Sequence, residues 1–170
     1  ALRVYFDCSI GNLTIRSSNN RYIITGNIEF NSTLSKPIVE LTNKNNISRL
    51  DIKIKPDKAN NNDNNKSLIN SLIEDGNDNY KINFQMPTKM STDMNLNFGL
   101  GKVDLDFSGL RISQLVMDCG LSDVTLVNTK SNIIECEKVH ITTGIADFNS
   151  LGLGNFNASN YIFDVGIGSA

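Results

Sequence analysis

Apolar and polar residues alternate in twos along most of the chain, and the alternation breaks at small residues. Leu96, Phe98 and Leu100 are followed by Val103, Leu105 and Phe107; one repeat later come Leu115, Met117, Cys119 and Leu121, then Val124 and Leu126. A period of two is that of strands with one face turned inward. At each break a small pair, Gly99/Gly101 or Gly120/Ser122, brackets one apolar residue, which suits a tight corner where the chain changes face.

The unit recurs. Residues 116–126 match residues 5–15 without a gap: aromatic or apolar, Asp-Cys, small, Leu or Ile, small, polar, Leu or Val, Thr, Leu or Ile. Further copies run over 96–105 and 141–148, and a cut-off copy begins at Phe163. The glycines at 99, 120, 144 and 166 are 21, 24 and 22 residues apart, a coil length shared by β-solenoids and leucine-rich arrays. The stretches between them carry no helical period, so the pattern predicts an all-β, single-stranded β-solenoid of stacked parallel strands. A third short face is expected from Leu110–Ile112, Asn132–Cys136 and Leu153–Phe156. Strands one coil apart lie ~4.8 Å from each other. This predicts an inward column of Cys8, Phe98, Cys119, Thr143 and Val165. Cys8 and Cys119 then sit two rungs apart, roughly 9.6 Å, too far for a disulfide.

Between the first copy and the second the repeat is interrupted. Tyr22–Phe30, Pro37–Leu41 and Leu50–Ile54 read as a small antiparallel meander near the N-terminus, with Asn45-Asn46 as a turn. An Asn-rich insert at about 56–79 is too polar to bury itself and reads as a mobile loop, with one or two helical turns at Ser67–Ile73. Tyr80–Phe84 is a strand, ended by Pro87.

Composition narrows the function classes. The chain has 170 residues, 39% hydrophobic and 20% charged, which is one domain spanning 1–170. The net charge of −2 and pI of about 5.3 offer no basic field for nucleic acid or anionic lipid. No run approaches the ~20 apolar residues of a membrane span. No signal peptide opens the chain, and Ala1 leads straight into a strand, so any membrane attachment is expected through a tether outside this fragment. The three cysteines have no metal spacing and read as buried free thiols.

Candidate chemistry is sparse. His140 is the lone histidine, which excludes a two-histidine metal site; it reads as a solvent-facing strand residue. Asp104, Asp106, Asp118, Asp123 and Asp147 are the best surface carboxylate row, fit in principle for calcium or a carboxylate pair, or simply for keeping a sheet face hydrated. Gly99-Leu100-Gly101 and Gly152-Leu153-Gly154 precede no helix, and read as turns rather than phosphate cradles. Five glycosylation-type triplets begin at Asn12, Asn31, Asn46, Asn65 and Asn157, a number that abundant asparagine accounts for. No cofactor, metal site or catalytic residue is expected.

Residues 96–110 and 115–126, supported by 4–15, 26–41 and 80–84, resemble the bacterial and archaeal toast-rack domain, a family related to the C-terminal domain of LiaF-like cell-wall-stress regulators. The likeness covers the chain apart from the insert. Tyr80 stands where the family usually has tryptophan, Ser9 replaces a glycine at the first corner, and the insert is longer than expected. The resemblance implies a β-solenoid tethered to the prokaryotic cell envelope, extracytoplasmic and without established catalytic residues. Two functions are then expected. One is a binding or sensory module that meets an envelope protein, a peptide or a glycan. The other is a structural subunit of a cell-surface assembly or filament, a homo-oligomer joined through open solenoid ends. The assembly edge is expected at Gly166, Ile167 and Gly168, where the chain stops part-way through a coil.

Overall fold

The computed structural model describes residues 1–31, 34–55, 80–144 and 147–166. Ten strands form one hydrogen-bonded sheet that wraps around an apolar interior. They are β1 (Leu2–Ser17), β2 (Thr25–Phe30), β3 (Ile38–Lys44), β4 (Ile47–Ile54), β5 (Tyr80–Met86), β6 (Ser91–Asp106), β7 (Arg111–Val127), β8 (Cys136–Thr143), β9 (Phe148–Leu151) and β10 (Ala158–Val165).

The long strands β1, β6 and β7 each cross two faces and bend at a corner. Phe98 and Val103 both point inward although five residues separate them, because the corner reverses the alternation. Gly101 takes φ +133 there and Gly11 φ +140, conformations closed to most side chains. Leu100 and Leu121 lie at the apex of this corner. Contrary to the simple alternation they do not continue the inward run: Leu100 is half-buried and Leu121 is 53% exposed.

Parallel register stacks the coils. The expected column is present in full: Cys8 pairs with Phe98, Phe98 with Cys119, Cys119 with Thr143 and Thr143 with Val165. Two further inward columns lie beside it, Ile52–Phe6–Leu96–Met117–Ile141–Phe163 and Leu50–Val4–Met94–Leu115–Val139–Tyr161. Each fully buried aliphatic or aromatic member contributes roughly 1.5–3 kcal/mol. All three cysteines are buried free thiols, as the two-rung separation requires.

The chain begins in the middle of its own stack. On one side β1 pairs with β6; on the other it pairs with β4 along Leu2–Cys8 and with β5 along Asn12–Ser17, both parallel. β4 and β5 are therefore the two faces of one coil, and the Asn-rich segment occupies the position of its corner in sequence. Residues 56–79, including the helical turns expected there and Asn65, lie outside the described residues.

The antiparallel strands near the N-terminus are present, but β2 and β3 do not pair with each other as a meander would. β3 pairs with β4 through the Asn45-Asn46 turn, whose φ values of 52 and 62 suit a tight hairpin, and β2 pairs with β5. Together β2 and β3 form a reversed coil over one end. The expected third face is also different. Leu110 and Ile112 are buried, but residues 132–135 form no strand and Leu153–Phe156 is a 3-10 turn. Asn132 holds this corner, its Nδ2 donating to the Ile112 carbonyl at 2.6 Å and to the Phe156 carbonyl at 3.0 Å.

Candidate functional site

Among the described residues the stack has two ends, and both leave inward-facing apolar residues uncovered. At the N-terminal pole Val39 and Leu41 stand over Ile52 and Leu50, which are buried. They share the same inward orientation, yet Val39 is 51% and Leu41 56% exposed, because among the described residues no further strand lies above β3. Ile28 and Phe30 stand likewise over Ile82 and Tyr80. The gap between β2 and β3 is a cavity of about 370 Å³ lined by Ile28, Phe30, Val39 and Phe84, with Lys36 and Pro37 at its rim. Phe30 stacks on Tyr80 at 6.1 Å, and the Tyr80 hydroxyl donates to the Ser35 carbonyl at 2.8 Å. That buried tyrosine thus fixes the loop that carries the rim.

At the other side of the sheet β10 is the outermost strand among the described residues. Tyr161, Phe163 and Val165 stand over Val139, Ile141 and Thr143, all buried, and are themselves roughly two-fifths to one-half exposed. Tyr161 and Phe163 stack at 6.4 Å. Gly166, the first residue of the expected assembly edge, donates its N–H to the Thr143 carbonyl at 2.8 Å; Ile167 and Gly168 lie outside the described residues. The repeat copy that begins at Phe163, with Val165 in the inward column, was visible in the sequence. The opening at the N-terminal pole was not, because Val39 and Leu41 read as ordinary core positions until the coil order was known.

The carboxylate row is dispersed. Asp104 faces Thr14 and Thr125 in register, with Lys102 Nζ at 3.7 Å. Asp106 accepts the Ser108 N–H at 2.9 Å in the turn after β6. Asp118 lies between Asn97 and Thr142. Asp123 lies beside Lys102, and the Asp147 carbonyl accepts the Val124 N–H at 2.8 Å, so these two alone reach neighbouring rungs at one corner. Among the described residues no group of three metal-ligating side chains forms.

His140 does have a partner: its Nε2 lies 2.9 Å from Asp164 Oδ2 across the β8–β10 pair, on the outward face. The Cys8 and Cys119 thiols are pushed up to about 12, first by burial, so they stay protonated. For Cys8 the neighbouring Asp7 adds to the shift; for Cys119 a Ser122 hydrogen bond opposes it. Burial raises Cys136 as well. Burial of this kind disfavours the thiolate form. No helix among the described residues is long and apolar enough to cross a membrane.

No curated protein matches the chain. Among solved structures, one described as a "putative cell adhesion protein" from Clostridium sporogenes ATCC 15579 aligns with a TM-score of 0.66 at 17% identity, covering 99% of this chain and 90% of its own. At that identity the likeness concerns the fold. The sequence family described as the N-terminal domain of toast_rack, DUF2154, matches residues 1–151, from the first strand through β9. That match takes in the corner glycines, both faces of the stack and the reversed coil, and the chain belongs to the toast-rack family.

Proposed function

We propose that this chain is a non-catalytic, extracytoplasmic module of the prokaryotic cell envelope or surface, which works by holding another macromolecule against one end of its stack. The observation that carries this reading is the open pole under β2 and β3. A stacked sheet that served only as a spacer would bury its inward column there, whereas Val39 and Leu41 remain about half exposed. The family and the adhesion description of the structural neighbour support the surface setting. The state of the chemistry-bearing side chains fits binding better than catalysis. The thiols are buried and protonated, and the histidine sits on an outward face with one carboxylate. The same pole also favours the second reading, a structural subunit of a surface assembly.

Two measurements test it. Protease added to intact source cells is expected to cleave the protein, and complete protection until lysis would refute the location. The purified chain is expected to be retained by an envelope preparation, with retention lost in the Val39→Asp, Leu41→Asp double variant. Equal retention of both proteins would refute the role of the pole.

A further inference from the structure

The lining of the cavity between β2 and β3 selects a kind of ligand. Ile28, Phe30, Val39 and the Phe84 ring form its walls, and they offer a ligand carbon rather than hydrogen bonds. The aromatic wall is held in place. Phe84 meets Phe6 edge to face at 5.3 Å, and Gly26 makes room for the ring, since a Cβ there would lie 2.5 Å from it. At about 370 Å³ the cavity falls at the lower end of small-molecule sites, which span ~300–1,000 Å³.

Charge is confined to the rim. Lys36 is the one charged residue of the lining; it is exposed and takes part in none of the ion pairs among the described residues. The neighbouring acids are occupied elsewhere or face away. Glu29 accepts the Asn27 Nδ2–H at 2.9 Å, and Glu40 stands opposite Asp51 on the outward side of β3. The backbone around the lysine is fixed from both sides. Tyr80 holds the Ser35 carbonyl, and Pro37 restricts Lys36 to extended conformations. An apolar slot with one unpaired cation at its lip matches an unbranched hydrocarbon that carries a negative charge at one end. A cationic amphiphile would meet like charge. A peptide seated in the slot would bring backbone N–H and C=O groups that these walls leave unsatisfied.

We propose that the cavity between β2 and β3 binds a single-chain amphiphile with an anionic head group. The hydrocarbon lies against Ile28, Phe30, Val39 and Phe84, and the Lys36 ammonium holds the head. This inference rests on the reading that the N-terminal pole is a working surface, and names the ligand class that enters it.

Calorimetric titration of the purified chain with octanoate, decanoate, decanol and decyltrimethylammonium, each kept below its micellar or solubility limit, tests it. One decanoate is expected per chain. Each added methylene is expected to tighten binding about fourfold, as full burial of a CH₂ group implies. Decanoate is expected to bind about fivefold more tightly than decanol, the scale of an exposed ion pair, and decyltrimethylammonium to bind most weakly. Lys36→Gln is expected to bind decanoate and decanol alike, and Val39→Asp to bind neither, with wild-type circular dichroism showing that both variants fold. Heats that do not saturate overturn the proposal. So do affinities that ignore the sign of the head group, or a Lys36→Gln variant that still prefers decanoate. If no amphiphile binds while the Val39→Asp, Leu41→Asp variant still loses envelope retention, the ligand class fails and the reading of the pole stands.

Discussion

At the first corner of the sheet a serine, Ser9, stands where later coils carry Gly99, Gly120, Gly144 and Gly166. The contacts explain both choices. A Cβ at Gly99 would collide with the Ser9 carbonyl oxygen; one at Gly120 would lie 2.8 Å from the Gly99 oxygen, and those at Gly144 and Gly166 3.0 Å from the Gly120 and Gly144 oxygens. Each glycine thus makes room for the carbonyl of the coil before it. Among the described residues no strand pairs with Ser9 on that side, since β4 ends opposite Cys8 and β5 begins to pair at Asn12. Graded costs follow: Gly99→Ala is expected to destabilise by about 3 kcal/mol and Gly144→Ala by less than about 1 kcal/mol, while Ser9→Gly changes little. Urea unfolding of the three variants checks the order. The thiols give a second residue-level expectation. A disulfide-exchange reagent at pH 8 is expected to leave Cys8 and Cys119 unlabelled until denaturant is added. Their folded values lie above the ordinary 9.0, so the stability they contribute is complete below about pH 9 and declines as pH rises towards about 12. Rapid labelling of the native protein would contradict their burial.

Among the elements, the parallel ladders and the antiparallel β3–β4 hairpin were legible in the sequence, and the pairing of β2 with β5 was not. The inward column from Cys8 to Val165 followed from gapless self-similarity, because a shared corner motif fixes register and register fixes neighbours. The reversed coil could not be read this way. β2 and β3 alternate like any strands, and only the placement of β4 and β5 against β1 determines what they cover. The third corner was misread for a related reason. Ile133-Ile134 and Leu153-Gly154-Asn155-Phe156 look apolar enough for strands, but the corner is held by side-chain amides and a 3-10 turn. Asn132 is central there, because its amide bridges the carbonyls of the coils on either side. Asn132→Ala is expected to cost about 1–3 kcal/mol, and Asn132→Asp more at neutral pH, since a carboxylate would face two carbonyl oxygens. Thermal unfolding at pH 7 checks this, and an aspartate variant as stable as wild type would remove the amide bridge from the account.

For the molecule as a whole, a single physical idea connects fold and function. Each coil covers the inward residues of its neighbour, so the ends of the stack are where apolar surface and unpaired backbone remain. The sequence showed the repeat copies up to the one that begins at Phe163. It was silent on the N-terminal mouth, which arises because the chain starts mid-stack and doubles back. The carboxylates that looked like a row fall at different register positions for the same reason that the repeat is imperfect: coil lengths of 21, 24 and 22 residues shift their outward positions.

The most direct test of this account is residue-by-residue amide hydrogen exchange. The account predicts slow exchange through the paired strands β1, β6 and β7 and faster exchange along β3, at the edge of the stack. Exchange in β1, β6 and β7 as fast as in β3 would contradict it.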